Sequence, residues 1–226
     1  MRTLVIGDIH GRKKWEALLK EEADRIIFIG DYFDSYDITQ VEQIQNFQKI
    51  LEWKRREPNK VILLFGNHDY HYLLEGKVQF FGYQPNALIN QLINEAVKYR
   101  ELQLIYTQDN YLFTHAGLSK KFMEHLDGDG FGFEDLNELL IQKPKVFNFG
   151  YYGWPMSEYG DDPDQGPLWI RPHSLGLNQF QNWIQVVGHT VQDTININNN
   201  LILIDVPDTN EVLEIIDGVT KVYHLK

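Results

Sequence analysis

Five times along these 226 residues, a short apolar run ends in a polar loop headed by glycine or histidine. Thr3-Leu4-Val5-Ile6 runs into Gly7-Asp8-Ile9-His10-Gly11, Arg25-Ile26-Ile27-Phe28-Ile29 into Gly30-Asp31-Tyr32-Phe33-Asp34, and Lys60 to Phe65 into Gly66-Asn67-His68-Asp69. Later, Tyr111-Leu112-Phe113-Thr114 leads to His115-Ala116-Gly117, and Trp183 to Val187 leads to Gly188-His189-Thr190. Apolar, largely β-branched runs of this length read as buried strands of a mostly parallel sheet. A glycine at the strand end lets the backbone turn sharply. In open α/β sheets the carboxyl ends of the strands form the ligand crevice, so the five polar loops are expected to converge on one site.

The loops share a chemistry. Asp, Asn and His are hard or borderline ligands that together can hold two divalent metals. The five motifs, in this order between residue 3 and about residue 190, resemble those of the calcineurin-like metallophosphoesterases, closest to the bacterial and phage phosphoprotein phosphatase branch. The resemblance implies an α/β fold of two packed mixed β-sheets flanked by helices. It also implies a hydrolase with a dinuclear metal centre and a bridging hydroxide. Asp31 resembles the family's bridging ligand, joined by Asp8 and His10 on one metal and by Asn67, His115 and His189 on the other. A shared carboxylate is needed because dications about 3.5 to 4 Å apart repel one another unless an anion lies between them. His68 matches the histidine that protonates the leaving group, a general-acid role typical of the residue. Asp34 matches the acid that orients it, and Asp69 is expected either to support the site or to cap a turn.

Two positions narrow the resemblance. Many metallophosphoesterases carry a second histidine two residues after the one matching His189, and here Val191 stands there, which points away from nucleases and toward the phosphoprotein phosphatases. That branch also has a phosphate-clamping arginine directly after the acid matching Asp34, where this chain has Ser35. A guanidinium fork holds two phosphate oxygens at once, which serine cannot do. Arg171, in Pro167-Leu168-Trp169-Ile170-Arg171, resembles the second phosphate-contacting arginine of bacterial and phage members and is the candidate clamp. Of the other histidines, His71 is expected at a helix surface or in packing, and His125, His173 and His224 have no partner spacing.

Charge and composition bound the partners. A net charge of −11 disfavours loose binding to nucleic acid or anionic membrane. Metals and local arginines must then supply positive potential for an anionic substrate. With no cysteine, disulfides and thiolate metal sites are excluded. The N-terminus enters the first strand without a signal-peptide pattern, and no apolar run approaches membrane-spanning length. A cytoplasmic protein is expected. Manganese, iron, zinc or magnesium suits such a site, with manganese the first choice.

Periodicity predicts amphipathic helices over Lys13–Glu22, Val41–Arg56 and Pro85–Tyr99, with Pro85 in the first turn of the last. It predicts a hairpin of Leu102–Tyr106 with Tyr111–Thr114, and an antiparallel meander from Thr194 to Tyr223. The chain reads as a single domain over 1–226 with an insertion at about 127–178. That insertion is rich in aromatics which line a groove or pack onto the core, and it holds a short helix near Leu136–Ile141. Asp127, Asp129, Gly132 and Glu138 partly match a calcium loop, but Phe131 and Glu134 break the pattern. Three functions fit: a phosphomonoesterase of serine/threonine phosphatase type, a dinucleoside polyphosphate (diadenosine tetraphosphate) hydrolase, and a non-catalytic metal-binding scaffold.

Overall fold

A computed structural model of the chain describes residues 1–74, 82–126, 130–152, 161–198 and 200–226. Two mixed sheets lie face to face. The first has the order β11-β10-β1-β2-β3-β4. Its parallel part is β1 (Arg2–Ile6), β2 (Arg25–Phe28), β3 (Val61–Leu64) and β4 (Leu102–Gln103), and β10 (Glu211–Ile216) and β11 (Val219–His224) extend it antiparallel beside β1. The second has the order β5-β6-β7-β9-β8. In it β6 (Tyr111–Thr114), β7 (Ile184–Val187) and β9 (Leu201–Leu203) run parallel, with β5 (Ile105–Gln108) and β8 (Asn196–Asn198) antiparallel at the edges.

Strand alternation explains the layers, because neighbouring side chains on a strand point to opposite faces. Val5, Ile27, Ile29, Ile62 and Leu64 meet Tyr111, Phe113, Val186 and Ile202 between the sheets. Leu4, Ile6, Ile26, Phe28, Val61 and Leu63 point the other way, into a cluster with Phe47, Trp53 and Ile93. Those three belong to α1 (Gln40–Arg56) and α3 (Ala87–Lys98). On the far side, Leu175 of α6 (Pro172–Leu177) packs with Val187 and Leu203. The result is helix, sheet, sheet, helix. No helix among the described residues is long and apolar enough to cross a membrane.

Helix α1 forms where the pattern predicts it, with Ile44, Phe47, Ile50, Leu51 and Trp53 buried. Its start is fixed by a capping box in which Thr39 Oγ1 accepts from the Glu42 amide and Glu42 accepts from the Thr39 amide. Such a cap contributes about 0.5–2 kcal/mol. Other expectations are corrected. Lys14–Lys20 is a 3-10 helix, not an α-helix. Its three-residue period stacks Trp15 over Leu18 and turns Leu19 outward, while Trp15 Nε1 donates to Asn46 Oδ1 on α1 at 2.9 Å. Pro85 lies outside α3, because the Asn86 side chain accepts from the amides of Leu88 and Ile89 and sets the helix start.

The predicted strand Leu102–Tyr106 divides at Leu104 between the two sheets. Asn137 makes the crossing tolerable: its Oδ1 accepts from the Leu104 and Ile105 amides and its Nδ2 donates to Ile105 O. The C-terminal meander is likewise two hairpins in different sheets, β8 with β9 and β10 with β11. Between them Pro207, with no amide hydrogen, cannot prolong a ladder.

Within 127–178, just beyond α4 (Lys120–Leu126), α5 (Asp135–Gln142) is the expected short helix. Phe147 and Trp169 are buried in the large cluster and Phe149 and Tyr152 pack against it, which favours packing for these four, whereas Phe131 and Phe133 both pack against it and line a groove with Met123 and Phe180. Trp154 and Tyr159, and the calcium-loop positions Asp127 and Asp129, lie outside the described residues. Glu138 is engaged elsewhere, 2.6 Å from Arg100 Nη2.

Candidate metal centre

Every polar loop singled out in the sequence follows the carboxyl end of a parallel strand, and the loops meet. Asp8 and His10 follow β1, Asp31 and Asp34 follow β2, and Asn67 and His68 open α2 (Asn67–Leu73) directly after β3. His115 and His189 arrive from the other sheet, after β6 and β7. Ligating atoms of Asp8, Asp31 and His115 lie within 4.8 Å of one another, as do those of His10, Asp31 and His68. Asp31 belongs to both groups. Its Oδ2 is 3.6 Å from His10 Nε2 and 3.4 Å from His115 Nε2, while Oδ1 accepts from the His68 amide at 2.8 Å. Asn67 Oδ1 stands 2.7 Å from His115 Nε2 and 2.9 Å from His189 Nδ1.

The outward nitrogens of these rings decide what the inward ones offer. His10 Nδ1 faces Phe33 O at 2.6 Å, His115 Nδ1 faces Ile29 O at 3.1 Å, and His189 Nε2 faces Trp169 O at 3.2 Å. A carbonyl only accepts, so each of those nitrogens carries the hydrogen, and in the neutral ring the other presents a lone pair. Those lone pairs point at the oxygens of Asp31 and Asn67. Lone pairs converging on oxygen lone pairs repel unless a cation sits among them, and this donor set of carboxylate, amide oxygen and imidazole suits a divalent metal.

The electrostatics agree. Burial pushes the Asp8 carboxyl well above its usual range, reinforced by Asp205 and Asp31, and pushes Asp31 up likewise, reinforced by Asp69. Burial lowers His115 to about 3, His10 to about 4, and His189 well below its ordinary value. Neutral imidazoles among crowded carboxylates make a site deficient in positive charge.

Beside this cluster lies a second constellation. Asp34 Oδ2 is 3.0 Å from His68 Nδ1 and 2.5 Å from His71 Nε2, and its Oδ1 accepts from the Tyr72 hydroxyl at 2.5 Å. Burial alone would raise the Asp34 carboxyl, but the bonds from His68, His71 and Tyr72 outweigh it and hold Asp34 below its usual value. Of the two expected roles His71 has the packed one, buried against Tyr72 and Tyr83, and it also bonds Asp34 at the site; it is not at the helix surface. The signal was its spacing, since positions three and four residues after His68 share a helix face with it. Asp69 has a task sequence reading left open: its carboxylate accepts from the amides of Asp31, Tyr32 and Gly66, each at 2.9 Å, and so ties the β2 and β3 loops together.

Arg171 borders the cluster from behind. Its Nη1 donates to His189 O at 3.0 Å and Thr190 Oγ1 at 3.1 Å, bracing that loop. Ser35 is turned into its own loop, Oγ accepting from the amides of Asp37 and Ile38. Val191 is exposed. Of the remaining histidines, His125 pairs with Asp164 at 2.7 Å, and His173 lines a separate polar groove with Asn196 and Asn198.

A family model for calcineurin-like phosphoesterases matches residues 1–193. Among solved structures, the chain is similar to a protein serine/threonine phosphatase from Saccharomyces cerevisiae described as similar to human phosphatase PP5, with 14% sequence identity and a TM-score of 0.58 over 99% of this chain and 80% of that one. At that identity the likeness is one of fold. A comparison with curated proteins finds no match.

Proposed function

The chain belongs to the calcineurin-like phosphoesterase family, and from that premise we propose that it is a metal-dependent phosphomonoesterase of serine/threonine phosphatase type. The observation that carries the reading is the pair of ligating groups that share Asp31, one with Asp8 and His115 and the other with His10 and His68. In this reading Asp8, His10 and Asp31 hold one divalent ion and Asp31, Asn67, His115 and His189 a second. Such a pair, when bound, supplies an activated water and neutralises charge on the phosphoryl oxygens.

The side chains do the rest. Asp34 fixes His68 through Nδ1, which leaves Nε2 to deliver a proton to the leaving oxygen. His71 and Tyr72 hold Asp34 in turn. Carbonyl bonds at the outer nitrogens of His10, His115 and His189 lock each ring so that its inner nitrogen is a lone-pair donor. Arg171 contributes positive charge beside the site while bracing the His189 loop.

Phosphate release by manganese-loaded protein tests this against phosphoserine and phosphotyrosine peptides, diadenosine tetraphosphate, and activated mono- and diesters. Release confined to monoesters is expected. Dominant cleavage of the dinucleotide would replace this reading with the nucleotide hydrolase, which the exposed Tyr36 ring beside His68 favours as a stacking surface. Silence across the panel with two metals bound would leave a scaffold.

A further inference from the structure

A cavity of about 280 Å³ opens beside His10 and His68 and is bordered by Arg12, Asp34, Ser35 and Asp205. The His10 and His68 rings stand edge to face with centroids 5.0 Å apart at its border. Within this wall, Arg12 Nη1 is buried and has no hydrogen-bond partner among the described residues. A buried guanidinium nitrogen without an acceptor is costly, and no bond at Nη1 holds the Arg12 fork back from an anion in the cavity. The neighbouring cations are already engaged. Lys14 Nζ donates to Val206 O at 2.8 Å, and Arg171 Nη1 is committed to the His189 loop.

Helix α1 anchors the two loops that carry Arg12 and Ser35 to the border of the cavity. Gln43 accepts from the Ser35 amide and donates to Ser35 O and Ile38 O, fixing the β2 loop. Three residues on along the same face, Asn46 Nδ2 donates to Arg12 O at 3.1 Å and fixes the β1 loop. Both polar side chains are buried. The cavity thus has a serine on one loop and, anchored to the same helix, an arginine on the next.

We propose that Arg12 clamps the phosphoryl group of the substrate, standing on the β1 loop in place of the guanidinium that Ser35 denies the β2 loop; this rests on the phosphomonoesterase reading. A guanidinium offers two parallel N–H donors to two phosphate oxygens, which fixes the orientation of the group as well as its charge.

The test is calorimetric titration of inorganic phosphate into the metal-loaded protein, alongside kcat/KM on a small phosphomonoester. Arg12→Ala is expected to weaken phosphate binding about 10- to 100-fold and to lower kcat/KM by a similar factor, with metal content and melting temperature as in the wild type. Arg12→Lys, which keeps the charge and loses the fork, should fall between, and it carries the test if the alanine variant does not fold. Adding Ser35→Arg to Arg12→Ala should recover most of the lost affinity. Wild-type phosphate affinity in Arg12→Ala or Arg12→Lys, with turnover intact, overturns the assignment. Phosphate held through Arg12 by a protein that hydrolyses nothing overturns the hydrolase reading instead.

Discussion

Four side chains gathered in the cleft stand on backbone in the left-handed region: His10 at φ 42°, Asp31 at 52°, Asp34 at 65° and His189 at 63°. Each such non-glycine residue costs about 1–2 kcal/mol, so the surrounding bonds must over-determine the conformation. Asp69 does this for Asp31. Asp69→Asn, which replaces one accepting oxygen with a donor and leaves a buried amide unpaired, is expected to lose about 1–3 kcal/mol of stability and to weaken metal binding with it; urea unfolding with and without metal would measure both. His68→Asn separates chemistry from architecture. It should retain metal and slow turnover by about 100- to 10,000-fold, the usual share of a general acid, and full activity in that variant would sink the role. Tyr72→Phe, which takes a hydrogen bond from Asp34 and releases the Gln84 backbone that the hydroxyl also bonds, should cost about 1–3 kcal/mol and far less turnover than His68→Asn.

At the scale of elements, the loops approach so closely that only glycine fits between them. A Cβ on Gly188 would lie 2.1 Å from Asp8 Oδ1, and one on Gly66 2.4 Å from the Asp31 amide. Gly188→Ala is therefore expected to displace the Asp8 carboxylate and reduce bound metal, read by elemental analysis of the purified variant. These glycines, the strand ends and the residues between them were legible in the sequence because each motif is local and strand-terminal. What was not legible depends on non-local partners. The C-terminal strands look alike in sequence, yet β9 joins β7 and β10 joins β1. Asp69 and Arg12 show their use only once the loops are apposed. The β10 join has its own electrostatic seam, with Glu214 nearly buried, 2.6 Å from Arg2 Nε and 2.7 Å from Lys221 Nζ. Burial alone would raise the Glu214 carboxyl, but Lys221 and Arg2 more than reverse it and hold it below its reference value of 4.5. A depressed folded value means stabilisation that is present above pH 4.5 and fades as pH falls through the folded value. Glu214→Gln should thus be less stable than wild type at pH 7, with the gap closing in acid, as urea midpoints across pH would show.

Across the whole molecule, the candidate ligands are divided between the sheets: Asp8, His10, Asp31 and Asn67 come from the first, His115 and His189 from the second. A metal bound there joins the two layers, and a ligand held only by the folded state stabilises it by about 2.7 kcal/mol at a hundred times its dissociation constant. Manganese should raise the melting temperature in proportion to the logarithm of its concentration, a chelator should reverse the rise, and Asp31→Asn should abolish it. The position of β1 has a different consequence. Its register partners are β2, which follows at once, and β10, whose Glu211–Ile216 comes more than two hundred residues later. During synthesis, β1 keeps the edge that β10 covers unpaired until β10 has emerged. An open strand edge is a template for pairing with another chain. That edge is thus exposed for as long as translation takes to run from β1 to β10, and a chain halted before residue 211 keeps it open.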